Sequence, residues 1–372
     1  MMSVIPNNEF MIGEIAQEPE LFRQILADRT HYTEDFVRLF TGHPIRRIYL
    51  VGSGSPSHLA ETLRCSAIRL LGTEASAPLP SLFLHHEGFN PSGVFRPEEM
   101  LLICPVESGR TKGPIFAAQE ASRLGIPVVC TTLDENGTLA ALSDVVLLKP
   151  SGAEKAPPTT KGHSVGLLLL LLCFLEAGKA AGRLSEEEYR IYDWALAELP
   201  SRVDRARLVT QAWFRRNQEA LMRSERYWFL SYGANGGTAS EAVLKFIESH
   251  QRPTFAYDLE EFLHGPLCAA GPKDFIFFMA AEECGEKERM LQLYRAMKTA
   301  YPNCTLVHSD QEDRIDGLDL SIPTCGLPFL NALEFLVPVQ VLAYEIADAA
   351  GIDVTVWTTR EIRGEMKPGF DR

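Results

Sequence analysis

The sequence repeats one pattern twice: a short apolar strand runs into a polar turn, and a helical segment follows. In the first half, 48–51 leads into the Gly/Ser turn 52–55 and a helical pattern over 58–71. In the second half, 226–231 leads into the turn 232–238 and a helical segment follows. Strands that alternate with helices form parallel sheets covered on both faces. The sequence therefore predicts an α/β fold with two doubly wound parallel sheets.

We expect five strands in each half. They are predicted near 47–52, 80–85, 100–105, 127–131 and 144–149, and near 226–231, 253–257, 274–280, 303–308 and 319–322. Between the halves, 184–216 is predicted to be a charged amphipathic connector helix with Pro200 as a break. The apolar run 165–175 is about half as long as a membrane span, so it is predicted to be a buried helix. Together with the apolar helix 329–350 it offers more apolar face than one small domain needs, which favours a dimer.

Composition restricts the possible partners. The chain has 372 residues, enough for one large or two ordinary domains, and its 36 basic and 49 acidic side chains give a net charge of −13. This balance argues against a nucleic-acid partner, so a phosphorylated ligand must be held by a local site. The eight cysteines form no Cys-x-x-Cys pair, and we expect reduced core residues of a cytoplasmic protein without a metal site. Residues 1–9 lack a basic segment followed by an apolar core, so neither a secretory signal nor a membrane partner is expected.

Two polar turns are candidate anion sites. Gly52-Ser53-Gly54-Ser55 follows the first strand and precedes a helix, where free backbone N–H groups and hydroxyls converge. It fits neither the dinucleotide fingerprint nor the nucleotide P-loop. The second turn, Val106-Glu107-Ser108-Gly109-Arg110-Thr111-Lys112, also opens a helix. Its Ser108 and Thr111 hydroxyls and Lys112 ammonium suit a phosphate monoester, although simple N-capping is the alternative.

A carboxylate and an imidazole in the second half suit proton transfer. Lys245 and Glu248 are three residues apart and share one helix face, while Gly265 and Pro266 fix a turn just after His264. Glu and His are the usual pair for moving a proton between the adjacent carbons of a sugar. A surface ion pair beside an ordinary loop histidine is the alternative.

The order of these motifs resembles the sugar isomerase (SIS) phosphosugar-binding family over roughly residues 12–352. The shared motifs are Gly-Ser-Gly-Ser at 52–55, Ser-Gly-x-Thr at 108–111, Glu-x5-Thr-Lys at 154–161, Lys-x2-Glu at 245–248 and His-Gly-Pro at 264–266. Within the family, the chain resembles the fructosamine-6-phosphate deglycases and the isomerase half of glucosamine-6-phosphate synthase. Ser55-Pro56 and Thr111-Lys112 are more similar to the deglycases.

The resemblance implies a role for each matched residue. Ser55, Ser108 and Thr111 would hold the sugar phosphate with Ser53 and Lys112 close by, and Glu154, Thr159 and Thr160 would line the sugar pocket. Glu248 would be the base for C1–C2 proton transfer, Lys245 its helper, and His264 the group that assists ring opening. In the related synthase this histidine reaches its site from the partner subunit, and we expect the same of His264 in a homodimer. Since the second half replaces the Ser/Thr turns, one active site per chain is expected.

The chain also departs from the family pattern. Val106 removes one phosphate hydroxyl, and Glu107 places a carboxylate beside the expected dianion, harmless only if it faces solvent or pairs with Arg110 or Lys112. Near the C-terminus, Ile362 stands where the synthase has its Schiff-base lysine, and Arg363 and Lys367 are out of register. No glutaminase domain precedes residue 12 and no cysteine follows the initiator. An ammonia-delivering synthase is therefore not expected.

The resemblance implies two flavodoxin-like, three-layer α/β/α SIS domains in tandem, at 31–183 and 217–352. A helical segment at 1–30, the connector 184–216 and a tail at 353–372 complete the chain. The implied activity is a deglycase that splits a fructosamine 6-phosphate into a hexose 6-phosphate and a free amine, without metal or organic cofactor. The alternatives are an aldose–ketose isomerase or deaminase of an amino-sugar phosphate, and a non-catalytic phosphosugar sensor.

Overall fold

The computed structural model describes residues 9–312, 314–356 and 358–370. The prediction that there is no secretory signal rests on residues 1–9, which lie outside the described ranges except for Glu9. The chain divides into two compact units, which we name by their sheets. The first-sheet unit comprises Leu21–Ala153, Gly162–Trp194 and the chain from Thr358, and the second-sheet unit comprises the chain up to Glu20, Glu154–Lys161 and Ala195–Trp357.

Each unit is built on a five-stranded parallel sheet. The strands are β1 Arg47–Leu50, β2 Glu74–Ser76, β3 Met100–Pro105, β4 Val128–Thr132, β5 Val145–Leu148, β6 Arg226–Ser231, β7 Thr254–Asp258, β8 Asp274–Met279, β9 Cys304–Ser309 and β10 Leu320–Ile322. The sheet orders are β2-β1-β3-β4-β5 and β10-β9-β8-β6-β7, so both run second, first, third, fourth, fifth strand from one edge. This is the flavodoxin-like doubly wound order. The predicted α/β class with two parallel five-stranded sheets is confirmed.

Helices connect the strands. They are α1 Glu9–Ile15, α2 Glu18–Ala27, α3 Arg29–Gly42, α4 Ser55–Leu71, α5 Pro80–Leu82, α6 Lys112–Leu124, α7 Thr138–Ala141, α8 Lys161–Ala180, α9 Glu186–Arg223, α10 Asn235–His250, α11 Leu259–Leu263, α12 Gly285–Ala300, α13 Leu330–Ala349 and α14 Arg360–Met366. Strands β1, β3 and β4 form the first core together with α6, and β6, β8 and β9 form the second together with α12.

One predicted strand is wrong. The segment 80–85 is helical, and the strand that pairs with β1 is the shorter Glu74–Ser76. Pro80 stands at the first helical position, where a missing N–H costs little. Phe83 then turns inward, with its ring centroid 5.4 Å from that of Tyr49 and 4.8 Å from that of Phe89. The apolar residues of this segment therefore cap the core instead of extending the sheet.

The predicted break at Pro200 is also wrong, because α9 continues through it. Proline removes one backbone hydrogen bond and crowds the preceding turn, which destabilises a helix interior. Here Pro200 is itself buried, and Leu196, Leu199 and Val203 around it are buried too. We attribute the continuous helix to this apolar burial, which offsets the local cost of proline.

Two helices, α8 and α13, are long and apolar enough to cross a bilayer by length and composition, but 83% and 89% of their apolar windows are buried inside the folded chain. The prediction that 165–175 forms a buried helix is thus confirmed. The prediction that all cysteines are core residues fails for Cys268 and Cys284, which are exposed. Cys268 lies in the short 3-10 helix Pro266–Ala269, and Cys284 is the N-cap residue of α12.

Candidate functional site

The two predicted anion turns lie together in the first-sheet unit. Strands β1 and β3 are parallel neighbours, so their carboxyl ends meet at one edge of the sheet. A Cβ atom added to Gly113, at the start of α6, would lie 3.7 Å from the Ser53 hydroxyl oxygen. This edge is the point where the strand order reverses, the usual ligand position in doubly wound sheets.

Glycines specify the first turn. A Cβ at Gly52 would lie 2.6 Å from the carbonyl of Pro56, so only glycine fits there. Gly54 has φ +67°, a conformation that favours glycine. Ser55 is buried as the first residue of α4, and Ser53 is half-buried. The turn thus brings two serines to a helix N-terminus, where backbone N–H groups favour anions.

The second turn carries hydroxyls that the fold does not use. Thr111 is the N-cap residue of α6, yet its side chain makes no capping hydrogen bond. Within the described ranges, the hydroxyls of Ser53, Ser108 and Thr111 form no hydrogen bond. The N-capping alternative therefore does not account for Thr111, and these hydroxyls are available to a ligand.

Glu107 has a partner that the sequence did not suggest. Its carboxylate pairs with the ammonium of Lys149, the residue just after β5, and the Lys149 side chain is only 1% exposed. The expected partner Arg110 instead binds Asp134 at 3.0 Å. Lys149 therefore neutralises the Glu107 carboxylate in the second turn.

The C-terminal segment lies against the second turn within the same unit. The Lys112 N–H donates to the Pro368 carbonyl at 3.1 Å, and the Phe370 N–H donates to the Arg110 carbonyl at 2.9 Å. The Lys112 ammonium lies 5.5 Å from the Phe370 ring centroid. Ile362 and Arg363, on α14, and Lys367, just after it, are all exposed.

In the second-sheet unit, α10 buries a cation between two carboxylates. Lys245 has a side chain 1% exposed, and its ammonium lies 2.6 Å from Glu248 Oε2 and 3.4 Å from Glu241 Oε1. Burial alone would lower the pKa of Lys245, but the carboxylates of Glu241, Glu248 and Glu154 outweigh it and raise that pKa. Lys245 is therefore charged and orients Glu248. The other oxygen of Glu248, Oε1, has no hydrogen-bond partner in the part of the chain that the structure describes.

The segment Glu154–Lys161, a loop that ends at the first residue of α8, belongs to the same unit as Lys245, although the chain on either side of it belongs to the first-sheet unit. Glu154 Oε2 accepts from the Thr160 N–H at 2.8 Å and from the Thr160 hydroxyl at 2.6 Å. Thr159 is half-buried in this loop. The structure thus brings together Glu154, Thr160, Lys245 and Glu248, as residues that interact within one unit.

His264 is not part of this cluster. It is exposed at the end of the short helix α11. Among the described residues, no hydrogen bond or ion pair joins His264 to Glu248. Its imidazole acts on Glu260, whose pKa is lowered first by a hydrogen bond from Arg289 and also by His264.

The second sheet has a counterpart of the first anion turn, and a carboxylate occupies it. Gly233, after β6, has φ +60°, and a Cβ there would lie 3.1 Å from Glu282 Oε2. Burial raises the pKa of Glu282, while hydrogen bonds from the Ala234 and Phe329 N–H groups act in the opposite direction. The protein's own anion thus takes the helix N-terminus of α10.

Sequence reasoning missed Lys149, Glu241 and Glu282. Only Glu241 left a local signal, because it stands four residues before Lys245 on the same helix face. Within 9–312, 314–356 and 358–370, no group of three or more His, Cys, Asp or Glu side chains is arranged to hold a metal ion.

Comparison with known proteins agrees with the motifs. No family model matches the chain. It is 26% identical over 359 residues to glutamine–fructose-6-phosphate aminotransferase (isomerizing) of Symbiobacterium thermophilum, an alignment that covers 93% of this chain and 57% of that protein. The chain therefore spans little more than half the length of this curated relative.

Solved structures share the fold. A protein of Clostridium difficile 630, described provisionally as a phosphosugar isomerase, matches with a TM-score of 0.84 and 22% identity over 98% of this chain and 99% of that chain. The C-terminal domain of glucosamine-fructose-6-phosphate aminotransferase from Francisella tularensis matches with a TM-score of 0.83 and 20% identity over 93% and 97%. The predicted resemblance to phosphosugar isomerases, including the isomerase half of the synthase, is confirmed.

Proposed function

We propose that this chain is a sugar-phosphate-processing enzyme, and that it acts as a deglycase on fructosamine 6-phosphates. The observation that carries the proposal is the Lys245–Glu248 pair. A buried ammonium fixes one oxygen of a carboxylate whose side chain is 14% exposed. Such an arrangement orients a general base and leaves its second oxygen for a substrate proton. A pure binding module has no need of it.

In this proposal the phosphate is held by the turns of the first-sheet unit. The hydroxyls of Ser53, Ser108 and Thr111, with Ser55 at the α4 N-terminus and Lys112 nearby, supply donors for a phosphate monoester. Lys149 supports this role because it neutralises Glu107. Glu282 supports the inference of one phosphosugar site per chain, since it fills the counterpart turn.

The proposed chemistry needs one base and an amine on the substrate. Glu248 takes the C1 proton of the open-chain ketose, and the electrons of that C–H bond form the C1–C2 double bond. The π electrons of the C2 carbonyl move to its oxygen, which takes up a proton from solvent, and an enaminol results. The enaminol is then protonated at C2 while the nitrogen lone pair forms the C1–N double bond, which gives the protonated imine of an aldose phosphate. Water adds to the imine carbon and the amine leaves, so a hexose 6-phosphate and a free amine are the products. The carboxylic acid formed on Glu248 returns its proton during this sequence.

We further propose that the chain works as a homodimer in which His264 serves the site of the other subunit. His264 is exposed, and among the described residues no hydrogen bond or ion pair joins it to Glu248, which supports this assignment. Mixing two inactive variants, H264A and E248Q, tests it. Random exchange of subunits should restore about one quarter of wild-type turnover, because half the dimers then hold one complete site. A mixture as inactive as its components contradicts the shared site.

The substrate class is tested by incubating the full chain with fructoselysine 6-phosphate, glucoselysine 6-phosphate and glucosamine 6-phosphate. Release of a free amino acid and glucose 6-phosphate from either conjugate is the expected result. Ammonia from glucosamine 6-phosphate alone would replace the deglycase by a deaminating isomerase. Binding of all three without turnover would favour the sensor.

A further inference from the structure

The irregular loop Glu154–Lys161 depends on a carboxylate far away in the sequence. Glu14 lies on α1, within the same unit, and is 5% exposed. Its Oε1 accepts from the Lys155 N–H at 2.5 Å, and its Oε2 accepts from the Ala156 N–H at 3.4 Å. One buried side chain therefore binds two consecutive backbone donors of the loop.

Backbone donors explain why the loop needs this carboxylate. A segment without regular structure must find hydrogen-bond partners for its buried N–H groups elsewhere. Pro157 and Pro158 have no N–H, and Glu154 accepts the Thr160 N–H. Glu14 satisfies the donors that precede the two prolines. Without it, the Ala156 amide would be left unpaired at a residue that is 2% exposed.

Further contacts hold the other end of the loop in the same unit. The Lys161 ammonium donates to Gln17 Oε1 at 2.9 Å, and the Gln340 amide of α13 donates to the Thr160 carbonyl at 3.2 Å. The loop is thus fixed by α1 and the residues after it on one side and by α13 on the other. Its own Glu154 carboxylate is near enough to Lys245 to raise the pKa of that lysine.

We propose that Glu14 is a positioning residue of the candidate proton-transfer site. By holding the Lys155 and Ala156 amides, it fixes the loop that carries Glu154, a carboxylate that acts electrostatically on Lys245, and Lys245 in turn orients Glu248. The consequence for turnover rests on the proposed function. The hold of Glu14 on the loop does not, and this separates the two claims experimentally.

The test combines amide hydrogen exchange with steady-state kinetics on the full-length wild type, E14A, E14Q and K155A. K155A is the matched control: it removes the ammonium that lies 4.4 Å from the Phe10 ring centroid but keeps the backbone N–H that Glu14 binds. We expect exchange of the Lys155 and Ala156 amides to rise by about tenfold or more in E14A, since two hydrogen bonds to a charged acceptor are lost. E14Q, which keeps one acceptor oxygen, should lie between E14A and the wild type.

Steady-state kinetics distinguish a positioning role of Glu14 from a merely structural one, because a merely structural role would not change kcat. With a fructosamine 6-phosphate, E14A should lower kcat by about tenfold or more at nearly unchanged KM, and E14Q should recover part of the loss. Wild-type exchange rates in E14A, or faster exchange with unchanged kcat in both Glu14 variants, would overturn the proposal. If E14A fails to fold, E14Q decides by the same two measurements. A wild type inactive on every sugar phosphate refutes the proposed function, and the exchange rates alone then decide whether Glu14 holds the loop.

Discussion

The buried charge of Lys245 makes a large and measurable prediction for stability. Replacing Lys245 with Met removes the ammonium that lies 2.6 Å from the Glu248 carboxylate, whose side chain is 14% exposed, and 3.4 Å from that of Glu241, whose side chain is 1% exposed. Removing one partner from a buried ion pair costs about 3–5 kcal/mol of unfolding free energy. For a unit of roughly 150–250 residues this corresponds to a fall in Tm of about 6–20 °C.

An exposed pair in the same unit provides the control. The Lys273 ammonium also lies 2.6 Å from a carboxylate, that of Glu225, but the Lys273 side chain is 70% exposed. Surface pairs contribute only about 0–1 kcal/mol, so K273M should lower Tm by at most about 4 °C. Differential scanning calorimetry of K245M, K273M and the wild type measures the difference. A fall in Tm for K245M no larger than that for K273M would contradict the conclusion that a buried Lys245 ammonium orients Glu248.

Two more predictions concern charge. Burial, helped by Arg252, lowers the pKa of His250 to about 3. Because the unfolded-state pKa is about 6.5, only the unfolded chain gains this proton as the pH falls from there to about pH 3. The unfolding free energy therefore falls by up to about 1.4 kcal/mol per pH unit over this range. Urea unfolding at pH 7 and pH 5 should show a smaller pH effect in H250Q than in the wild type, and equal effects would count against the prediction. K149M leaves the Glu107 carboxylate without its ammonium beside the proposed phosphate site. A unit charge about 10 Å from the phosphate is worth about 1.7 kcal/mol at an effective dielectric constant of about 20. The Kd for inorganic phosphate should therefore rise by about tenfold or more. Calorimetric titration should find affinity recovered in E107Q/K149M, and unchanged affinity in K149M would exclude Lys149 from this role.

Features carried by neighbouring residues could be predicted from the sequence. Apolar runs located nine of the ten strands among the described residues. The Lys245–Glu248 contact followed from their spacing of three on a helix, and their 2.6 Å separation confirms it. The carboxyl ends of the strands also predicted where Ser53 and Thr111 would be found.

Features that depend on distant residues could not be predicted. The burial of Phe83 against Tyr49 and Phe89 decided that 80–85 is helical. The pairing of Glu107 with Lys149 and the binding of loop amides by Glu14 join segments that no local pattern relates. Glu282 was missed because a single carboxylate after a strand carries no periodic signal. Such contacts are fixed only when the whole chain has folded.

Proton transfer by Glu248 is the central claim, and solvent isotope incorporation tests it most directly. The wild type and E248Q are incubated with a fructosamine 6-phosphate in D2O, and the recovered substrate and product are examined by NMR for deuterium at C1 and C2. The account predicts deuterium at these carbons with the wild type, and none with E248Q although E248Q still binds the sugar phosphate. Equal deuterium incorporation by E248Q and the wild type would contradict it.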